Sequence, residues 1–520
     1  MYSDCIFLQF FLSECFFAYL CPNNPKNSSI IKKTTIMNND NFETSLKSWN
    51  ENEKAANELI NIVGRLWYDK SVELIMLRSL LVNRGSGKIL NKHLRAANVL
   101  NKPVRVQDSL LIAKALLAEN LAPARIDLGR LNSEWTDEHD KYHNDVTAFV
   151  RDKLSYIIDA VPRSNKVQDV ILYGFGRIGR ILCREMTEMA GRGDALRVRA
   201  IVTRKNSPED IAKRINLFRT DSVHRYFHGV CTPIEGENAM MVNGQKILFL
   251  ESKNPEDLDY TQYGINDALL IDNTGAFRDR ESLERHLQAK GVSKVLLTAP
   301  GKGDIPKVVY GVNQDTLDFE KEHVFSAASC TTNAIVPGLQ VMQNNFGIVK
   351  GHIETIHSYT NDQNLLDNYH KKERRGRSAP LNMVITETGA GKAAAKALPE
   401  LKGKLTSNAV RVPTPDVSLA VLALDLERET TVEEVNEAFR KACLEGNLIE
   451  QIRFSNNTEF VSSDGIGDSC ACIFDAPATK VSADGKTVIL YLWYDNEFGY
   501  SNQVVRLARH IGQVKSFRYY

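Results

Sequence analysis

The stretch VILYGFGRIGRILCREM, residues 170–186, runs from an apolar segment into Gly174, Gly176 and Gly179, spaced G-x-G-x-x-G. An amphipathic segment follows, with Ile178, Ile181, Leu182, Met186 and Met189 on one side. Glycines in this order permit a tight turn and a close backbone approach, and the start of a helix offers unpaired N–H groups and a positive dipole end to a pyrophosphate. A ligand-free glycine turn has the same spacing. The strand before it and the helix after it are what make the reading a dinucleotide-binding fingerprint.

Around this stretch the chain alternates short apolar runs with helical segments: VILYG, RVRAIV, ALLID, KVLLT and VFSAAS. That rhythm predicts a parallel sheet covered by helices. The second run ends in Thr203, Arg204 and Lys205, where an acidic residue would accept from the adenosine ribose. Arg204 cannot accept, but it can pair with a 2'-phosphate, so NADP stands beside NAD as the expected cofactor. From about residue 352 the strands lengthen and alternate in polarity, as in HIETIHSY, SLAVLALDL and VILYLWY, which predicts an antiparallel sheet with one covered face. Thr431 and Glu434 form a capping box for one helix there, and YSNQVVRLARHIGQ reads as a terminal amphipathic helix.

Upstream, residues 50–161 read as helical throughout. Leu59, Ile60, Val63, Leu66 and Trp67 recur at helix spacing, as do Leu110, Leu111, Leu116 and Leu117. RGSGKI, residues 84–89, fails as a phosphate loop, because Val82 stands at the first glycine position and Ile89 at the Ser or Thr position.

The whole chain has 520 residues, room for two to four domains. Sixty-five basic against 64 acidic side chains give a formal charge of +1, so no global field favours nucleic acid or membrane, and small molecules are the default partners. Nine cysteines form no C-x-x-C pair, and Cys470 and Cys472, two apart, make no metal clamp; no metal site is expected, and a reducing compartment is. Cys5, Cys15 and Cys21 lie in an apolar stretch that Asp4 and Glu14 spoil as a signal peptide. Met37 is therefore expected to be the true start, with residues 1–36 non-native or disordered.

FSAASCTTNAIVPG, residues 325–338, sets Cys330 between an apolar run and a polar step. Taken alone it is a small, inert hydrophobe. With YGFGRIGR, SCTTN, HSYTNDQ, RVPTPDVS and WYDNEFGYS in this order and spacing, however, residues 167–512 closely resemble the phosphorylating glyceraldehyde-3-phosphate dehydrogenase family, in a bacterial form with a long N-terminal helical extension. The resemblance implies that Cys330 attacks the aldehyde carbon and that His357 acts as its base. It also implies that the resulting thioester is cleaved by phosphate to an acyl phosphate. It places Ser329, Thr331, Thr360, Thr388, Gly389 and Arg411 at phosphate positions, with Arg377 of RRGRSAP as a further contact. On the cofactor side it implies Gly174, Phe175, Gly176, Arg177, Ile178, Gly179, Arg204, Thr274, Gly275, Thr298 and Asn496, the last binding the nicotinamide carboxamide. A cytoplasmic homotetramer in glycolysis or gluconeogenesis is implied as well.

Two positions depart from the family pattern. Ala334 replaces a cysteine common four residues after the nucleophile, so peroxide is expected to inactivate without a 330–334 bridge. Asp362 stands where a second threonine is common, which leaves room for an erythrose-4-phosphate dehydrogenase that releases its acyl group to water. A cofactor-binding regulatory protein without turnover is the rival of another class. The basic run HKKERRGRSAP has no aromatic residue after Tyr369, and nucleic acid is not expected. The expected fold is α/β: a helical extension over 37–163, a Rossmann domain over 164–328 completed by 500–520, and an α+β catalytic domain over 329–499.

Overall fold

The computed structural model describes residues 39–163, 166–193 and 195–520, so the expectations for residues 1–36 and Met37 lie outside it. The chain divides into two units, Met1–Glu51 and Asn52–Tyr520. In the first, the described residues begin the helix Asn39–Lys70, along which Phe42, Leu46 and Trp49 are exposed.

Within the second unit, the N-terminal region is not all-helical. Strands Val72–Met76 and Ala124–Asp127 pair in parallel, Ser79–Leu80 adds antiparallel at one edge, and Phe517–Tyr519 from the far end of the chain adds parallel at the other. The expectation of helices alone misses this sheet because all five residues of VELIM are buried. Burial on both faces removes alternation, and so short a buried run, interrupted here by Glu73, cannot be told from a buried helix by periodicity. Helices Ser86–Leu100, Val106–Ala118, Leu128–Glu138 and Val146–Lys153 surround the sheet, and Leu66, Leu74, Leu116, Ile126, Phe149 and Tyr519 share its core.

The second sheet runs Val324–Ser326, Val292–Leu297, Ala268–Asp272, Gln168–Tyr173, Leu196–Thr203, Gln245–Glu251, Ala239–Val242, Cys231–Pro233. Its first six strands are parallel. From Gln168–Tyr173 the chain builds outward one way, then returns to the other side with Ala268–Asp272. This reversal opens a crevice at the carboxyl ends of those two strands, where such folds bind ligands.

The third sheet orders Val384–Thr386, Leu405–Val412, Ile348–Ser358, Ser418–Leu426, Thr487–Tyr494, Cys472–Asp475 and Ile452–Ser455, with Lys480–Val481 beside Thr487–Tyr494. It is mixed rather than antiparallel, since Ile348–Ser358 runs parallel to Leu405–Val412, and Ile452–Ser455 to Cys472–Asp475. Strand direction depends on the connection, and alternation reports only which face is covered. Ser418–Leu426 does alternate buried and half-buried residues.

Residues 500–520 do not act as one element of the dinucleotide domain. Helix Phe498–Ile511 buries Tyr500, Val504 and Leu507 against Val170 and Leu182 of that domain, but Phe517–Tyr519 closes the N-terminal sheet. A buried ion network reinforces this junction: Arg125 meets Glu450 at 3.0 Å and Glu73 at 3.5 Å, and Arg509 meets Glu73 at 3.0 Å. Burial alone would raise the Glu450 carboxyl, but Arg125 and Arg506 hold it at about 2. Truncation after Gly512 is expected to expose residues 72–127 to limited proteolysis while leaving the dinucleotide domain resistant. Equal resistance in the truncated and full chains would show that the terminal strand does not hold the N-terminal sheet.

Candidate active site

Gly174 has φ +95°, a conformation open to glycine at little cost, and a Cβ on Gly179 would lie 2.4 Å from the Gly174 carbonyl oxygen. A Cβ on Gly176 would meet nothing within 4 Å, so the middle glycine faces open space. Helix Arg177–Glu188 begins there, and its first internal bond is from the Arg180 N–H to the Gly176 carbonyl. The N–H groups before Arg180 have no such partner within the helix. This cradle fits a pyrophosphate.

The side chains of this turn are otherwise occupied. Phe175 is buried and stacks on Phe218, and Ile178 packs against the core. Arg177 pairs with Asp221 at 3.1 Å and grips the Glu497 carboxylate through two nitrogens, so its guanidinium ties the first helix to the Asn496 loop. At the ends of the neighbouring strands, Thr274 donates its N–H and hydroxyl to Asp272 at 2.7 Å each. Gly275 has φ +68°, and Thr298 donates to the Asp272 carbonyl. Arg204 is exposed where Leu196–Thr203 ends. Beside it, Glu251 lies in register with Thr203 and accepts the Asn206 N–H at 3.0 Å.

Cys330 is the first residue of helix Cys330–Phe346, and Ser329 caps it by accepting the Thr332 N–H at 3.1 Å. The Cys330 Sγ lies 3.6 Å from His357 Nε2. His357 reaches this point from the strand Ile348–Ser358, whose register sets it beside Arg411, which in turn pairs with Val384. His357 Nδ1 is 2.7 Å from the Ser358 carbonyl and 2.9 Å from Arg411 Nη1. The bond to the carbonyl needs the proton on Nδ1, and in that tautomer Nε2 is an acceptor toward the thiol. Arg411 donates to the same carbonyl at 2.8 Å, while its Nε is buried without a partner among the described residues. Burial, with the Arg411 charge beside it, pushes the imidazole down to about 3. Burial also raises the thiol, against the pull of Arg411. The pair is therefore a neutral thiol and a neutral imidazole at neutral pH.

Asn496 is buried, and its Oδ1 accepts from Ser358 Oγ at 2.7 Å and Ser418 Oγ at 2.8 Å. Its amide nitrogen is the group left to donate. Thr331 is spent on Tyr494, hydroxyl to hydroxyl at 2.9 Å, and the Tyr494 ring stands edge-on to His357. Thr360 is half-buried just past Ser358, Thr388 Oγ1 accepts the Ala390 N–H, and Gly389 begins the helix Ala390–Ala397.

Arg377 is not brought to this group, since it is exposed and pairs with Asp367 at 2.8 Å. Arg375 turns inward instead, donating to Thr386 at 3.1 Å and pairing with Asp362. Three arginines in RRGR look alike in sequence, and nothing local says which one faces inward. The sequence reading also passes over Ser358 and Ser418, although both lie within the quoted motifs. A further unanticipated group is His224, Asp416 and Asp495, the last next to Asn496 in the chain, whose ligand-type atoms lie within 4.8 Å of one another. Burial and the Asp495 charge raise the Asp416 carboxyl, so this group holds a proton rather than adjacent negative charges.

Two family descriptions match the chain: the NAD binding domain of glyceraldehyde 3-phosphate dehydrogenase over residues 168–280, and its C-terminal domain over residues 329–496. A glyceraldehyde-3-phosphate dehydrogenase-like protein of Pseudomonas aeruginosa is 47% identical over 459 residues, 88% of this chain and 98% of that protein. This match is longer than the chain from residue 168 onward, so it extends into the N-terminal region. Glyceraldehyde-3-phosphate dehydrogenases of Streptomyces coelicolor and Geobacillus stearothermophilus are 42% and 43% identical, each over 65% of this chain and 97% and 96% of their own. With both domains matched in order across the two sheets that carry the glycine turn and the Cys330–His357 pair, the chain belongs to the glyceraldehyde-3-phosphate dehydrogenase family and is an oxidoreductase with a nicotinamide dinucleotide cofactor.

Proposed function

We propose that this chain oxidises D-glyceraldehyde 3-phosphate to 1,3-bisphosphoglycerate through a thioester on Cys330, with NAD or NADP as acceptor. The observation that supports this most directly is the 3.6 Å approach of Cys330 Sγ to His357 Nε2 at the start of a helix. As sulfur bonds to the aldehyde carbon, the thiol proton passes by way of Nε2 to the carbonyl oxygen, which becomes the hemithioacetal hydroxyl and leaves Nε2 free again, and the helix N-terminus favours the negative charge that develops on sulfur. The bound dinucleotide supplies a hydride acceptor. The hydroxyl proton of the hemithioacetal is lost as the C–H bond breaks, and His357 is placed to move it. Phosphate oxygen then bonds to the acyl carbon, the C–S bond breaks, and the sulfur recovers a proton. Arg411, with an unspent buried Nε, is suited to hold the phosphate anions; Ser329, Thr360, Thr388 and Gly389 belong to the same proposal.

Erythrose-4-phosphate dehydrogenase is kept as a second reading because of Asp362. Its pairing with Arg375 withdraws one cation from anion binding beside His357 and Arg411. Steady-state rates with both aldose phosphates, with and without inorganic phosphate, separate the two. Strict phosphate dependence with the triose supports the first reading, and phosphate-independent turnover of the tetrose the second. Neither turnover, despite stoichiometric iodoacetate labelling of Cys330, would leave the non-catalytic reading.

The same assay with NAD and NADP tests Arg204. The exposed guanidinium fits a 2'-phosphate, whereas Glu251 beside it is the carboxylate available to a ribose hydroxyl. Arg204→Asp is expected to raise the KM for NADP at least tenfold. A strong NAD preference unaffected by that change would defeat the assignment. The cytoplasmic homotetramer is part of the same proposal, with light scattering of the full chain as its test. Among the described residues no helix is long and apolar enough to cross a membrane.

A further inference from the structure

A cavity of 690 Å³ lies between the N-terminal helix Ser86–Leu100, the segment 453–470 and the helix Phe498–Ile511. None of the residues assigned to aldehyde or dinucleotide binding lines it. Its size is that of a small-molecule site. Nine Lys and Arg side chains face it against three Asp and Glu.

Five of those cations are already engaged. Arg78 donates to the Cys443 carbonyl, Arg453 pairs with Asp468 at 2.6 Å, and Arg125, Arg506 and Arg509 share Glu73 and Glu450. Arg84, Lys88, Lys92 and Arg95 have neither an ion pair nor a hydrogen bond among the described residues. Lys88, Lys92 and Arg95 follow at i, i+4 and i+7 along one helix face, an arrangement in which like charges repel. Burial together with Arg84 and Arg95 lowers the Lys92 ammonium to about 8. Glu185, at the cavity wall, does not relieve them, because burial and the nearby Glu188 raise its carboxyl to about 8 and keep it uncharged at neutral pH. The buried Arg125 Nε also lacks a partner. Four cations without an ion pair, of which Arg84 acts at longer range on Glu185 and Glu188 and Lys92 feels Asp468, and an unspent donor around one cavity call for several negative charges on one small molecule. The stretch RGSGKI, which fails as a phosphate loop, supplies Arg84 and Lys88 to this wall.

We propose that this cavity is a second ligand site, which binds a polyphosphate anion of the nucleoside triphosphate class. Phe454 and Phe460 line the same space and offer aromatic surface to a base.

The test is equilibrium dialysis of ATP and of inorganic tripolyphosphate against the full chain saturated with NAD and inorganic phosphate, which occupy the dinucleotide and substrate-phosphate sites. Both probes are expected to bind once per chain, and the double variant Lys88→Glu/Lys92→Glu to bind each at least tenfold more weakly. Equal affinity for the two probes assigns recognition to the phosphates, and tighter binding of ATP adds the base. Arg95→Glu, a change at an exposed residue, is expected to weaken both at least threefold and serves if the double variant fails to fold. Absence of saturable binding to the wild-type chain, or unchanged affinity in a folded variant, overturns the proposal.

Discussion

Replacement of Cys330 by serine is expected to lower kcat for aldehyde oxidation by roughly 10⁴-fold or more, the scale at which a nucleophile acting as one unit with its base is lost. The hydroxyl retains the hydrogen bond toward His357 but is a far weaker nucleophile than sulfur, and it gives an ester in place of a thioester. Cys330 is half-buried at the first turn of its helix, so the exchange of one atom should leave the melting temperature and cofactor affinity nearly unchanged. The thiol can also be followed directly. Burial raises it above its ordinary value, so alkylation of the ligand-free protein by iodoacetamide should climb with pH through 8 and 9 without a plateau near neutrality. A plateau near pH 6 would mean a preformed thiolate and would contradict the neutral pair. Turnover of the serine variant within tenfold of wild type would remove Cys330 from the nucleophile's role.

The dinucleotide fold was legible because its signal is local. Gly174 needs a positive φ, Gly179 cannot carry a Cβ, and the strand and helix flanking them are adjacent in sequence. The third sheet showed its covered face through alternation, but its mixed direction was not written in any one strand. The N-terminal sheet was illegible for a different reason: VELIM is buried on both faces, and one of its sheet's edge strands, Phe517–Tyr519, comes from the other end of the chain. At the candidate site, motifs singled out Cys330 and His357, which lie 3.6 Å apart, while the choice between Arg375 and Arg377 turned on which of two aspartates, Asp362 or Asp367, each arginine meets. Loop conformation makes that choice, and residue types alone do not encode it. The cavity above was beyond reach for the same reason, since its cations come from segments hundreds of residues apart.

His357→Asn is expected to move two observables in opposite directions. The amide can keep a donor to the Ser358 carbonyl, now made by Nδ1 at 2.7 Å, but it has no nitrogen that can accept the thiol proton. Loss of a positioned general base costs about 10²–10⁴-fold, and that loss should appear in kcat more than in KM. Stability should change the other way in acid. The imidazole titrates near 3 in the folded chain, because of burial and then Arg411, against an ordinary value of 6.5. Between those two values the unfolded chain binds the proton that the folded chain refuses. Wild type therefore carries this contribution in full above about pH 6.5 and loses it progressively as the pH falls toward 3, by an amount on the order of 4 kcal/mol. Asparagine does not titrate, so the variant should hold its melting temperature further into acid while remaining slow at every pH. A residue that only braced the strand would lower kcat and acid stability together. That combined loss, read from kcat and melting temperature between pH 4 and 8, would exclude His357 as the base and leave Cys330 without a proton acceptor.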